Sequence, residues 1–326
     1  MQLVEPYVTI IEEKDPYKKI ELAGRTCYKS ENKITEDSAK KFVKSLINRK
    51  HEAMLEHQVF VFEVYDDSAS YTEFLRRNNY LHVTSEIVCD KKNNYRNRVL
   101  VSGNVRAICQ RGMNDPIYRA LYKEYPDLCY NVNPSSMELF DYADARIVDL
   151  EKEINSFNIK EIIEHVNFTF RIITDRGVTH ELVRHRPCSF AQESTRYVNY
   201  KDGISIAVPS GYSGKPAYVQ EVYQEAFETA ERCYRELIEE YGESPQQARA
   251  VLPTAVKTEI VITTNLKEYI HILNLRYKGT TGSPHPDIKA VAERIDYLIK
   301  AKMRNNPISI DKILNIDINS REFKNA

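Results

Sequence analysis

The spacing of apolar and polar positions divides the chain into short strand-like runs and amphipathic helices. Residues 7–11 predict a strand, and Leu22 to Tyr28 (LAGRTCY) a short helix or turn. Ala39, Phe42, Val43, Leu46 and Ile47 recur at helical spacing, which predicts a helix over about 36–50, with Thr35 able to cap it and Glu36 and Asp37 in its first turn. HEAMLEH (51–57) then leads into a strand-like run, VFVFEV, ending at Val64. Two strands, Leu81–Cys89 and Arg98–Ser102, are predicted about the polar turn KKNN, followed by helices over Asn104–Arg111 and Pro116–Tyr122. Residues 131–157 are polar, and NVNPSS reads as a loop.

In the second half, Glu164 to Ile172 (EHVNFTFRI) alternates like a strand and echoes EHQVFVFEV at 56–64. Ile204 to Val208 predicts a short strand, ended by Pro209 and Gly211. Pro216 opens a long helix to about Tyr241, with Val219, Val222, Tyr223, Ala226, Phe227, Ala230, Tyr234, Leu237 and Ile238 as its apolar stripe and Gly242 as its stop. Ser244 and Pro245 have the residue types of an N-cap and first helical position for a short helix, QQARAVL, ending before Pro253. A strand over Glu259–Thr263, a helix from Asn265 to about Tyr277, the loop GTTGSPHP and a helix from Asp287 to about Met303 complete the pattern. On the Asn265 helix, Lys267, His271 and Asn274 fall in one row, and Asn265, Tyr269 and Arg276 in another. Two polar rows with Ile270, Leu273 and Leu275 between them suit a helix wedged between two ligands, or one at a subunit interface with paired charges.

Composition narrows the class. At 326 residues, 42% apolar and 29% charged, the chain has the make-up of a soluble globular protein of one or two domains. Its net charge of −1 lacks the basic excess of a general nucleic-acid binder. No apolar run is long enough to span a membrane, and MQLVEPYVTI, which carries Glu5, lacks a signal-peptide pattern. Six scattered cysteines without a CxxC pair argue against a zinc site or a disulfide framework and fit a reducing cytoplasm.

The densest chemistry lies in RHRPCSFAQESTRY, Arg184 to Tyr197. Arg184, His185 and Arg186 stand in a row, and Arg196 follows a polar run of Ser189, Gln192, Glu193 and Ser194. Mutual repulsion among these cations is easiest to sustain around an anion, and arginine suits bidentate phosphate contacts. A salt-bridged surface segment is the alternative that charge pattern alone leaves open.

Arg184 to Ser194 fits, without a gap, the RHR-x7-S signature of the flavin-dependent thymidylate synthases, and the resemblance extends through HELVRHR before it and STRY after it. HEAMLEH resembles the family's H-E-x-x-x-E-H segment, QARAVLP its A-R-x-x-L-P, and NLKEYIHILNLR its N-x-R-x-x-x-H/N-x-x-x-x-R. The resemblance implies an α+β fold, a mixed or antiparallel sheet with long helices. It implies one domain over 1–326, with a structured insertion at about 66–160 whose role the residues leave open: lid, oligomer contact or decoration. It further implies an enzyme that makes dTMP from dUMP, with methylenetetrahydrofolate as carbon donor, FAD as cofactor and NADPH as reductant, in a cytoplasmic homotetramer whose sites are shared between subunits, with no nucleic-acid partner and no metal.

By the same resemblance, His51, Glu56, Arg184, His185, Arg186, Gln192, Asn265, Lys267 and His271 are the expected flavin contacts. Glu181, Arg184, Gln192, Glu193, Ser194, Thr195, Arg196, Arg249 and Arg276 are the expected dUMP contacts. Arg276 is the expected catalytic residue: a guanidinium at the N3–C2=O edge of uracil stabilises negative charge there and makes C5 nucleophilic. Ser194 has no His or Lys evidently paired with it and is assigned to positioning. Two departures stand out. Ala53 occupies a position where members often carry a small hydroxyl, and Lys267 replaces the usual Arg, keeping the charge but losing the fork. His165, in the echoing strand segment, is a rival to His51. The competing readings are a cysteine-nucleophile synthase using Cys188, and a nucleotide- or RNA-binding protein without turnover.

Overall fold

The computed structural model describes residues 1–89, 93–130, 143–157 and 162–304. The chain divides into two compact units, one of residues 1–39, 169–264 and 271–296, the other of residues 40–168, 265–270 and 297–326.

The first unit is built on a sheet ordered β2-β7-β10-β8, from strands Tyr7–Ile10 (β2), Asn167–Asp175 (β7), Ser189–Gln192 (β8) and Lys257–Asn265 (β10). A separate parallel pair joins Gln2–Val4 (β1) to Ser205–Ala207 (β9). β10 is buried along almost its whole length, as befits a strand with neighbours on both edges. β8 runs antiparallel to it with Gln192 opposite Ile260. Helix α1, Pro16–Tyr28, starts well before the expected LAGRTCY turn. Asp15 accepts from the Tyr17 and Lys18 amides at 2.8 and 3.2 Å, and Pro16 sits in the first turn, where a missing N–H costs nothing. The helix ends on Lys29 in the left-handed region, φ 49°. β7 passes directly into α7, Arg176–Leu182, whose first turn is capped by Asp175 accepting from the Val178 amide at 2.8 Å.

The second unit is built on an antiparallel sheet ordered β4-β5-β3-β6, from Val59–Tyr65 (β3), Leu81–Cys89 (β4), Tyr95–Asn104 (β5) and Asp144–Ile147 (β6). The 66–160 segment therefore supplies three of the four strands, and both neighbours of β3. Val61, Leu100 and Val148 form part of the core on this sheet. The HEAMLEH segment is a short 3-10 turn, Glu52–His57, and not a free loop. Two expected features, part of the KKNN turn and NVNPSS, lie outside the described residues.

Several elements depart from their expected form. β7 begins at Asn167, because Glu164–Val166 close a turn in which the His165 and Val166 amides donate to the Ile162 carbonyl. The long helix Ala217–Glu239 (α8) has the expected stop, Gly242 at φ 67°, but of its apolar stripe only Phe227 and Tyr234 are buried. In α10, Leu266–Arg276, Tyr269 is wholly buried and its hydroxyl donates to the Phe168 carbonyl at 3.4 Å, so that row is not a polar one throughout. Among the described residues no helix is long and apolar enough to cross a membrane.

His165 is 1% exposed, and burial, with a smaller push from His82, lowers its pKa from 6.5 to about 3. Between those values the unfolded chain binds one proton more than the folded one, so stability is present above pH 6.5 and is lost as pH falls toward 3. His165→Asn should remove up to about 1.4 kcal/mol per pH unit of that slope, read from urea unfolding at several pH values. An unchanged slope would place the titration elsewhere.

Candidate functional site

All nine expected substrate-side residues belong to the first unit, and all but Arg184 fall into three groups there. The first surrounds Arg276, at the end of α10. Its Nη1 donates to Glu181 Oε2 on α7 at 2.7 Å, its Nη2 to the Glu181 carbonyl at 3.4 Å, and its Nε to His185 Nε2 at 3.3 Å. For the last bond to form, His185 keeps a lone pair on Nε2 and is the neutral tautomer protonated on Nδ1. His185 is buried, and its ring meets the exposed His271 ring edge to face at 5.7 Å between centroids. The loop beyond it is pinned by the Thr264 hydroxyl, which donates to the Pro187 carbonyl at 3.0 Å.

The second group lies where β8 turns away from β10. Arg249, on the short 3-10 turn Arg249–Val251, donates to the Thr195 hydroxyl at 3.2 Å, and Arg196 Nε donates to the Gln246 side-chain oxygen at 2.9 Å. Gln246 and Arg249 are one helical turn apart, so the two exposed guanidiniums are brought to one place. Neither has a carboxylate partner among the described residues. Ser194 opens the turn: its amide donates to the Cys27 carbonyl at 3.1 Å, and its hydroxyl accepts from the Arg196 amide at 3.3 Å. Gln192 is held by its Nε2, which donates to Thr179 Oγ1 at 2.9 Å and Thr258 Oγ1 at 3.3 Å.

The third group was not expected. Glu193 and Glu259 have side chains 2% and 4% exposed and share one ammonium: Lys257 Nζ donates to Glu193 at 3.0 Å and to Glu259 at 2.8 Å. Tyr200 donates to the other Glu193 oxygen at 2.8 Å, Arg171 Nε donates to Glu259 at 2.9 Å, and Lys29 also donates to Glu259. Glu31, 3.7 Å from Arg171, brings the set to three carboxylates against three cations. Burial alone would raise the Glu259 pKa, but hydrogen bonds from Lys257, Lys29 and Arg171 outweigh it and hold it at about 2. Burial followed by the Glu193 charge pushes the Tyr200 phenol up. Glu193, expected at the substrate, thus has both carboxylate oxygens engaged by its own chain. The sequence did hold a signal: Lys257 and Glu259 are two residues apart on a strand and point to one face; the sheet order then sets β7, which carries Arg171, beside that strand.

A family model described as thymidylate synthase complementing protein matches residues 9–87 and 118–303. The chain belongs to that family. The flavin-dependent thymidylate synthase of Geobacter sulfurreducens is 38% identical over 126 residues, covering 38% of this chain and 53% of the relative. That of Mycobacterium tuberculosis (strain ATCC 25618 / H37Rv) is 34% identical over 143 residues, 39% of this chain and 54% of the relative. The chain spans about half the length of these relatives. Among solved structures, the UMP/dUMP methylase PolB from Streptomyces cacaoi aligns over 92% of this chain and 93% of its own at 16% identity, with a TM-score of 0.41, too distant to bear on function.

Members named as flavin-dependent pose the question of a flavin, and the donor set bears on it. Arg184 and Arg186 are exposed on either side of buried His185, and neither has a counter-ion among the described residues. Uncompensated guanidiniums of this kind fit a diphosphate. Of the other expected flavin contacts, Gln192 and His271 belong to the first unit, and His51, Glu56, Asn265 and Lys267 to the second. There His51 is exposed, Glu56 accepts from Arg106 at 2.7 Å, and Lys267 pairs with Glu164 at 2.6 Å. Asn265 is buried at the start of α10, its side-chain oxygen accepting from the Glu268 amide at 2.9 Å. The rival, His165, has both ring nitrogens engaged, by Thr84 at 2.9 Å and Ser102 at 3.0 Å.

Lys257→Met should destabilise the protein by about 3 kcal/mol, because removing one partner of a buried ion pair leaves charge without compensation. Urea unfolding at neutral pH measures it. The stabilisation from Glu259 is present above its unfolded pKa of 4.5 and is lost as pH falls through about 2. Glu259→Gln should therefore flatten acid unfolding across that window, whereas an unchanged acid limb would contradict the assignment.

Proposed function

We propose that the chain is a flavin-dependent thymidylate synthase that makes dTMP from dUMP, with methylenetetrahydrofolate as carbon donor, FAD as cofactor and NADPH as reductant. The observation that carries this reading is the pair Arg196 and Arg249, in a chain of this family. Both are fixed by neutral partners, Gln246 and Thr195, so among the described residues their positive charge is left uncompensated for a phosphate. Gln192, Ser194 and Thr195 stand beside them with donors and acceptors for the nucleoside, and Arg184 adds a further cation without a carboxylate partner among the described residues.

Arg276 is the group proposed to activate the base. A guanidinium has five N–H donors; three are taken by His185 and Glu181, which leaves two for the substrate. Glu181 and His185 fix its plane, so the donors are oriented before uracil arrives. Negative charge developing at N3–C2=O is stabilised there, and no enzyme nucleophile is needed. Ser194, occupied with the Arg196 amide, suits positioning. Bound FAD, reduced by NADPH, would supply the reducing equivalents. Arg184, His185, Arg186, Gln192, His271, His51, Glu56, Asn265 and Lys267 are the residues proposed as flavin contacts. The open apolar stripe of α8, with Val222 66% exposed, supports the expected homotetramer. The net charge of −1 supports a small-molecule substrate over a nucleic acid, and a cytoplasmic location is proposed with it.

Protein reconstituted with FAD should be yellow, lose its visible band with NADPH, and form dTMP from dUMP only with the folate. Full-rate methylation by protein freed of the dinucleotide would end this reading, as would cross-linking of 5-fluoro-dUMP through Cys188. Arg276→Ala should keep the yellow colour and lower dTMP formation by roughly 100-fold or more, the scale of losing one oriented donor to a developing anion. Unchanged turnover would remove Arg276 from the chemistry. On size exclusion the chain should elute as an oligomer, and a catalytically active monomer would contradict that.

A further inference from the structure

The start of α10 carries Asn265 and Lys267, and it is not held by its own helix alone. The Leu266 amide donates to the Val166 carbonyl at 2.8 Å and the Lys267 amide to the Ile163 carbonyl at 3.1 Å. The Asn265 side-chain nitrogen donates to the Glu164 carbonyl at 3.2 Å and meets His82 Nε2 at 3.1 Å. Lys267 Nζ donates to Glu164 Oε1 at 2.6 Å. The 162–166 turn under this helix start hangs on the β4–β5 hairpin through His165, whose two ring nitrogens meet Thr84 and Ser102.

These contacts all fall on one sheet face. His82 and Thr84 are two residues apart on β4, and Ser102 is the cross-strand partner of His82 on β5. The three side chains therefore stand side by side, His82 reaching Asn265 directly and the other two reaching it through His165. Because the Asn265 nitrogen can only donate, His82 Nε2 accepts and its proton lies on Nδ1. Burial lowers the His82 pKa, Glu164 opposes that, and Lys267 adds to it, which keeps the accepting, neutral form.

We infer that His82 is a positioning residue for Asn265, and that the β4–β5 hairpin of the 66–160 segment sets the start of α10 for cofactor binding. The inference rests on the proposal that Asn265 and Lys267 contact flavin. It gives that segment a definite part: its hairpin supplies the polar platform that aligns two side chains it does not itself contain.

The test uses full-length protein stripped of flavin, His82→Ala and His82→Gln, titrated with FAD and followed by quenching of flavin fluorescence. His82→Gln retains a side-chain carbonyl that can accept from Asn265. His82→Ala should weaken FAD binding about tenfold, the size of one lost hydrogen bond and an unsatisfied buried amide, with the dUMP dissociation constant unchanged. His82→Gln should recover most of the affinity. In NMR spectra without flavin, the Asn265 side-chain amide protons should exchange faster with water in His82→Ala than in the wild type. Equal FAD affinity in wild type and His82→Ala, or unaltered exchange at Asn265, would overturn the inference. Wild-type protein that binds no FAD would overturn the flavin reading first and this inference with it, but would leave the exchange result standing as a separate test of the His82 contact.

Discussion

Two buried carboxylates sharing one ammonium govern the half of the molecule that carries the substrate-side residues. Glu193 and Glu259 both receive Lys257, at 3.0 and 2.8 Å. Two like charges about 4 Å apart repel by roughly 4 kcal/mol at the effective dielectric of a protein site, so the pair is stable only with the cations between and around it. This requirement reaches through several elements. Lys257 and Glu259 come from the central strand β10, Arg171 from its neighbour β7, Glu193 from the residue after β8, and Lys29 from the left-handed end of α1. Each places one charge, and with Glu31, 3.7 Å from Arg171, three carboxylates face three cations.

The consequence for the site is positional. Glu193 is tied down at the end of β8, so the residues that follow, Ser194, Thr195 and Arg196, leave the sheet at a fixed point. The turn then closes on Ser194, whose carbonyl accepts from the Tyr197 and Val198 amides at 3.2 and 3.0 Å. Arg196 and Arg249 meet there because the turn and the Pro245–Ala248 helix are both anchored. A cationic place without a counter-ion among the described residues is costly to keep, and it persists here because the neighbouring network is neutral and draws on neither guanidinium.

The second unit repeats the logic with weaker charges and more hydroxyls. There a neutral histidine face, His82 and His165 with Thr84 and Ser102, supports a helix start. Neutral partners suit that place: a protonated His82 could not accept from Asn265, and a charge added there would add to Lys267.

The elements with strong period and clear ends were legible in the sequence. β2, β4, α5 (Pro116–Glu124) and the final helix, Pro286–Arg304, lie within a few residues of their expected bounds, because alternation, Pro at a helix start and amphipathic spacing are local properties. The family signature was legible too, since a run such as RHRPCSFAQES is a matter of chain order. The start of α1 was missed although Asp15-Pro16 announced it. What local pattern could not give was partnership. The sequence made Glu193 one of five polar residues in a row, 192–196, and only the pairing of β8 with β10 and the turn of α1 brought Lys257 and Lys29 to it. The sequence made 66–160 an added segment, and only strand pairing made it the sheet that encloses β3. Side-chain type and spacing act over a few residues along the chain, whereas burial and charge compensation act between residues far apart in it, and those are decided when the sheet forms.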